Sequence, residues 1–356
     1  MSSLEPLEKE LKGRFEPKKN QSVLLAKSYK RLHWGRRASR VSDCGSWLEF
    51  LERSSPEQGN CPDASEARPD GSLVGSSSKY KLYRANFCRE RLCPMCAWRR
   101  SYKIFGQMSQ IMNYLGGNYC FIFLTLTVPN CEPEELNNLI DDMLKGWHKL
   151  VNRKVFKTAV KGFFRALEVT RNKKNGTYHP HFHVVLAVLP SYFNNTYIRR
   201  DEWLQLWQQS MKDDSITQVD VRVMKPKNTE TTGETLGEAL ASAVAEAAKY
   251  AVKSADYVFE GNNNLMDSIV LTLSSALSHR RLTALGGVFK EAQEQLGLDD
   301  CEDGDLVHLD DSFREDLATM IIRYEWSAGA YKLVRKTQLE IIDGVSVNPE
   351  SGEVIP

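Results

Sequence analysis

Residues 119–224 switch repeatedly between the hydrophobic periods of strands and helices, and that order limits the chain to few folds. "YCFIFLTLTV" (119–128) reads as a strand, and "CEPEELNNLIDDMLKGWHKLVNR" (131–153) as an amphipathic helix with Pro133 near its start. "GFFRALEVTR" (162–171) is a second strand, Asn175-Gly176 a hairpin turn, and 181–189 a third strand. "YIRRDEWLQLWQQSM" (197–211) returns to the helical period, and "ITQVDVRVM" (216–224) is a fourth strand. The succession β-α-β-β-α-β predicts an α+β fold: a ferredoxin-like, split β-α-β antiparallel sheet with two helices on one face.

The flanks differ in character. Residues 53–79 are aperiodic and rich in Ser, Pro and Gly, which predicts a mobile loop. Ala97 to Leu115 reads as a helix stopped by Gly116-Gly117. Beyond a Gly/Thr/Asn-rich loop (226–237), the Ala-rich "LGEALASAVAEAAKYAVKSADYVF" predicts a long helix. After Gly261, "LTLSSALSHRRLTALGGVFKEAQEQLG" predicts another, followed by an acidic stretch. The expected organisation is a basic N-terminal region with a cysteine module (1–116), the sheet domain (117–260) and a helical, acidic C-terminal region (261–356).

"YHPHFHVVLAVLP" (178–190) packs three of the chain's seven histidines into five positions. On a strand, His181 and His183 project together, while Phe182, Val184 and Leu186 project to the other side. If Asn175-Gly176 form a two-residue type I′ turn, Glu168 faces His183 and Thr170 faces His181, with Cβ atoms about 5 Å apart. Pro180 disturbs regular pairing near that turn. Two imidazoles and a carboxylate with open positions suit Mg²⁺ or Mn²⁺, and also zinc.

Eight cysteines in a chain that starts without a signal-peptide core do not suggest a disulfide framework. "FCRERLCPMCAW" groups Cys88, Cys93 and Cys96, and "DCGSW" supplies Cys44 upstream. A CxxC pair plus two further thiolates is the ligand set of tetrahedral Zn²⁺, with Cys61 competing for the fourth place from a polar loop. Four thiolates leave no open position, so the module is expected to be structural or positioning rather than catalytic. Cys120, Cys131 and Cys301 read as packing or surface thiols.

The net charge is only +1, but it is segregated. From Lys12 to Arg40 ten Lys/Arg face one acid, from Lys81 to Lys103 seven face Glu90, and from Asp299 to Asp316 nine acids face Arg314. Basic blocks interleaved with Trp34, Trp98 and Tyr102 suit phosphate contacts and base stacking, and His279-Arg280-Arg281 adds to them. No apolar run is long enough for a bilayer span, so the expected location is the cytoplasm, with no membrane partner.

In the helix expected over "EAAKYAVKSAD", Glu246, Lys249, Tyr250 and Lys253 follow i, i+3, i+4 and i+7 spacing and share one face. The lysines can hold a phosphate and favour a phenolate, and the tyrosine oxygen can attack phosphorus to give a covalent intermediate.

With these segments in place, the chain resembles the rolling-circle plasmid replication initiators, the Rep proteins of the HUH endonuclease superfamily, in their single-tyrosine branch. "FLTLTVPN" (123–130), "HPHFHVVL" (179–186) and "EAAKYAVKSADY" (246–257) are similar to the family's three ordered motifs, and the likeness spans roughly 40–310. The resemblance implies a metal pair at His181 and His183 and a nucleophile at Tyr250. It implies a water-activating role at Glu246, and Glu168 as third ligand with His179 as its rival. Tyr257 lacks the paired-tyrosine spacing of phage-type initiators and reads as packing or DNA contact. The implied activity is metal-dependent nicking and rejoining of plasmid origin DNA through a 5′-phosphotyrosyl link, cut in single-stranded form. The basic segments 12–40 and 81–103, with His279-Arg280-Arg281, are expected to help hold its duplex or hairpin form, and a host helicase and replication machinery are the expected partners. No nucleotide-binding Gly-rich loop is present. A single-strand transposase or relaxase with the same residues, and a non-catalytic zinc-dependent DNA-binding repressor, are the alternatives. A small-molecule metallo-hydrolase is disfavoured for want of an apolar pocket signal.

Overall fold

The computed structural model describes residues 4–53, 66–67, 73–74, 79–224, 244–245, 248, 251–309, 318–342 and 345–355. The N-terminal basic stretch, to which the sequence reading assigned no element, is helical: α1 (Glu5–Glu10), a π-helical run Leu11–Phe15, α2 (Glu16–Arg31) and α3 (Gly35–Asp43). Leu7, Leu11, Phe15, Ala26 and Tyr29 form its buried stripe, and Lys19 and Ser22 interrupt that stripe although both are fully buried. Strands β1 (Trp47–Arg53) and β4 (Tyr80–Ala85) follow, separated by a short ribbon of β2 (Glu66–Ala67) and β3 (Leu73–Val74). Most of the stretch expected to be a mobile loop lies outside the described residues.

Helix α4 (Pro94–Leu115) leads into the central unit. It comprises β5 (Cys120–Thr127), α5 (Leu136–Asn152), α6 (Lys154–Ala159), β6 (Val160–Arg171), β7 (Tyr178–Val188), α7 (Arg200–Met211) and β8 (Val219–Met224). The predicted order of strands and helices is present, and every pair in the sheet β8-β5-β7-β6 is antiparallel. Alternation along β7 sorts its side chains. Phe182, Val184 and Leu186 belong to the core shared with Trp147 of α5 and Trp203 and Trp207 of α7. Val185 and Ala187 belong to the core shared with Ile104, Met108 and Met112 of α4.

The hairpin register differs from expectation. The turn closes through four residues, Lys173–Gly176, with Asn172 N donating to Thr177 O at 2.8 Å and Gly176 N to Asn172 O at 2.9 Å. Oδ1 of Asn172 and of Asn175 each accept a backbone N–H two residues on, from Lys174 and Thr177. A type I′ turn needs positive φ at both central residues, and here only Gly176 has it, at 82°. Glu168 therefore pairs with His181 and Thr170 with His179. The shift is by two, so Glu168 keeps its face and lies diagonal to His183. Pairing also continues through Pro180. Val169, its partner, sends its N–H outward to Ala251 O at 2.7 Å, so Pro180's missing donor faces the β5 side, where the ladder has ended at Thr127↔His181.

Three further expectations are corrected. The helix expected after Gly261 is divided into α8 (Asn263–Leu277), β9 (Thr283–Gly287) and α9 (Val288–Gln295). Strand β9 pairs with β6, and at Gly287, with φ 56°, a Cβ would fall 2.1 Å from Lys161 O, so glycine permits the approach. The C-terminal region expected to be helical contains β10 (Ala318–Ser327) and β11 (Ala330–Gln338), then β12 (Glu340–Ile342), β13 (Val345–Val347) and β14 (Val354–Ile355). The turn Ala328-Gly329 has φ 52° and 84°, so the type I′ signature lies here rather than at Asn175-Gly176. Strand β10 pairs with β1, giving the order β11-β10-β1-β4, so the expected first and third segments share one sheet. Finally, the long helix expected through Phe259 is absent from Ala251 onward. Its carbonyl bonds to β6, Lys253 is extended (ψ 129°), and Ser254–Asp256 is a 3₁₀ turn. Tertiary pairing outweighs the helix propensity of this Ala-rich stretch.

Candidate metal sites

The two histidines and Glu168 converge, all three buried, on one face of the sheet. Glu168 Oε2 lies 2.9 Å from His183 Nε2 and 3.3 Å from His181 Nε2, and the two Nε2 atoms are 3.2 Å apart. Neighbouring ligands of an octahedral ion with bonds near 2.1 Å stand about 3.0 Å apart, so the three atoms fit one face of such a shell and leave the opposite face open. His181 Nδ1 donates to the His179 carbonyl at 3.2 Å, which turns Nε2 toward the cluster. His183 packs on Phe123, with 5.5 Å between ring centroids, and its Nδ1 is buried without a partner among the described residues. Burial works against ionisation of Glu168, but hydrogen bonds from His181 and His183 hold its carboxyl well below the usual carboxylate range. Cross-strand pairing puts Thr125 beside His183 and Thr127 beside His181, with Asp220 one strand further out.

His179 does not join the three converging donors. Its ring stacks on His181 at 5.3 Å, and burial, then the charge of His181, lowers its pKa. Glu246, Lys249 and Tyr250 lie outside the described residues. Near them, Val244 and Ala248 are buried in the core that contains Phe123, Ala166 and Val185, on the histidine face of the sheet. Lys253 is exposed and lies on extended backbone rather than in a helix. Tyr257 is buried and donates to Leu92 O at 2.6 Å, which makes it a packing residue.

Cys44, Cys88, Cys93 and Cys96 form the second cluster. Cys44 is the C-cap of α3, Cys93 the N-cap of α4, and Cys96 lies in the first turn of α4. The Sγ–Sγ separations are 3.5 Å for Cys44–Cys96 and Cys44–Cys93, and 3.7 Å for Cys88–Cys96. Tetrahedral zinc with bonds near 2.3 Å needs about 3.8 Å, so four thiolates fit with little adjustment. Backbone donors already face the sulfurs: Arg89 N lies 3.2 Å from Cys96 Sγ and Cys88 N 3.4 Å from Cys44 Sγ. Cys61 lies outside the described residues.

Sequence reasoning missed the residues that support this cluster. Ser22 Oγ lies 3.4 Å from Cys93 Sγ, and buried Lys19 donates to Ser42 O at 2.6 Å and to Cys44 O at 2.8 Å. The available signal was a lysine and a serine on the apolar stripe of a helix, at Lys19 and Ser22.

Most of the basic stretch 81–103 is engaged internally. Arg91 pairs with Glu302 at 3.0 Å, Lys103 with Asp299, and Arg99 donates to the carbonyls of Leu306 and Val307. Arg100 donates to Glu302 O, and Arg89 to Asp303 O. The described part of the acidic stretch, 299–307, is thus a strap across α4. Trp98 packs edge-on against Phe15 and Tyr102, Arg280 locks α8 to Asn137 and Asp141 of α5, and Arg281 pairs with Asp300. No helix among the described residues is long and apolar enough to cross a membrane.

Against known proteins, the profile of the replication protein family matches residues 79–332. The chain is 40% identical over 310 residues to a Protein rep of Bacillus amyloliquefaciens, covering 83% of this chain and 85% of the relative. It is 34% identical to a Protein rep of Streptococcus pneumoniae serotype 2, covering 86% of this chain and 87% of the relative. For a Protein rep of Staphylococcus aureus the identity is 34%, covering 71% and 97%. No solved structure matches the chain.

Proposed function

The chain belongs to the replication protein family, and from that premise we propose that it initiates rolling-circle replication of a plasmid, nicking and rejoining origin DNA through a phosphotyrosyl link. The observation that carries this reading is the convergence of Glu168, His181 and His183 within 2.9–3.3 Å on one face of the sheet. The strand order β8-β5-β7-β6 supports a ferredoxin-like HUH domain. Mg²⁺ or Mn²⁺ held by the three side chains would supply positive charge to the non-bridging oxygens of a scissile phosphate.

The chain's own residues do the rest. Tyr250 attacks phosphorus in single-stranded origin DNA; its Oη–P bond forms, the P–O3′ bond breaks, and the phenolic proton passes to the leaving 3′ oxygen. The product is a 5′-phosphotyrosyl link and a free 3′-OH that primes synthesis. Because one phosphodiester replaces another, no nucleotide is consumed. Lys249 and Lys253 neutralise the phosphate, and Glu246 activates the water that ends the round. Ala251 supports the assignment of Tyr250: it follows the tyrosine by one peptide bond, and its carbonyl is bonded to Val169, the neighbour of Glu168. Zn²⁺ at Cys44, Cys88, Cys93 and Cys96 has a structural role in this reading.

The test is incubation of purified protein and Mn²⁺ with supercoiled and single-stranded DNA carrying the replication origin. A covalent protein–DNA adduct is expected, and Tyr250→Phe should abolish it while DNA binding persists. Relaxation without an adduct, or cutting that survives Tyr250→Phe, refutes the mechanism.

A further inference from the structure

Helices α2 and α3 are joined by only three residues, Leu32, His33 and Trp34, with His33 at φ 60°. The joint is rigid. Trp34 N donates to Tyr29 O at 2.8 Å, the two rings pack 5.4 Å apart, and the Arg37 guanidinium lies 4.5 Å and 4.7 Å from their centroids. Ala38 and Val41 bury the inner face of α3. Its outer face carries Arg36, Ser39 and Arg40 at i, i+3 and i+4, all exposed. Lys27 and Lys30, also exposed, lie on the last turns of α2. Glu90 bonds Arg37 and Arg40, and Asp267 pairs with Arg31, whereas Lys27, Lys30 and Arg36 have no ion pair among the described residues. The segment is strongly cationic and precedes the family match, which begins at residue 79.

We propose that α2–turn–α3 is a helix-turn-helix that docks α3 in the major groove of duplex DNA, separate from the site where strands are cut. A basic helix held by a short turn against a supporting helix fits that groove. A single strand fits poorly, because binding it relies on exposed aromatic platforms, and Trp34 is enclosed by Tyr29 and Arg37. Cys44, the C-cap of α3, and the 2.6 Å bond from Arg40 to Cys88 O tie this helix to the cysteine cluster. The cluster thereby sets the angle at which α3 is presented.

The proposal rests on the replication reading only in the choice of probe. Fluorescence anisotropy should be measured with the full chain on short duplexes tiled across the DNA flanking its gene, and on a random-sequence duplex. Cutting of a single-stranded oligonucleotide with Mn²⁺ is followed in parallel. Arg36→Ala combined with Lys30→Ala is expected to weaken duplex binding about tenfold and to reduce the salt slope by about one per cation removed. Circular dichroism and cutting should stay unchanged. Duplex affinity within about twofold of the wild type, or a wild type that binds no duplex, overturns the proposal. If duplex binding falls as expected but the wild type cuts nothing, the helix-turn-helix stands and the nicking reading fails.

Discussion

Lys19 Nζ donates to the carbonyl of Cys44 at 2.8 Å, placing a fully buried ammonium against the backbone of the cysteine cluster with no carboxylate bonded to it among the described residues. Four thiolates around Zn²⁺ carry a net charge of about −2, which offsets that ammonium. Lys19→Met keeps the volume but leaves the Ser42 and Cys44 carbonyls without this donor, a cost of about 1–3 kcal/mol. The variant is expected to melt earlier and to release metal faster to a chromogenic chelator. Equal release rates would show that Lys19 contributes nothing to metal retention.

Glu168 and the histidine pair should behave as one ligand set. Loss of a residue that merely orients a ligand typically costs 10–100-fold in metal affinity, so loss of a ligand should cost more than about tenfold. Mn²⁺ titration followed by electron paramagnetic resonance should show that loss for Glu168→Ala and for His183→Ala. His179→Ala should cost less, since that ring only stacks on His181.

Asp267 joins the N-terminal helices to α8. It accepts two bonds at 2.7 Å from Arg31 and one from Ser28. Burial raises its pKa, but these bonds outweigh that and the net shift is downward. A carboxyl with a depressed folded pKa contributes stability above its unfolded value of about 3.9 and loses it as pH falls through the folded value. Asp267→Asn should therefore destabilise the chain at pH 7 and have less effect at low pH. Urea denaturation at both pH values measures this.

The two tyrosines near the third motif should separate cleanly. Tyr257→Phe removes one buried hydrogen bond to Leu92 and is expected to cost about 1 kcal/mol in a thermal melt while leaving the covalent adduct intact. An adduct lost in Tyr257→Phe and kept in Tyr250→Phe would exchange their roles.

Much of the central sheet was legible because its signals are local. Period-two runs ending in aromatic and β-branched residues mark β5 to β8, and the even register shift left Glu168 on the histidine face. What escaped depends on distant partners. "TALGG" becomes a strand only because β6 offers an edge and Gly287 tolerates Lys161 O. Ala251 leaves the helical pattern because Val169 has a free N–H. The basic residues of α4 looked available to a polyanion because their acidic strap lies about 200 positions downstream.

The pairing of β1 with β10 sets a timetable for synthesis. Glu325, which faces Trp47, leaves the ribosome about 280 residues later, a delay of roughly 14–56 s at 5–20 residues/s. Through that interval β1 has only β4 beside it, whereas β5 to β8 are complete by residue 224. A chain that terminates early can thus form the histidine-bearing sheet while displaying an unfilled strand edge to proteases and chaperones.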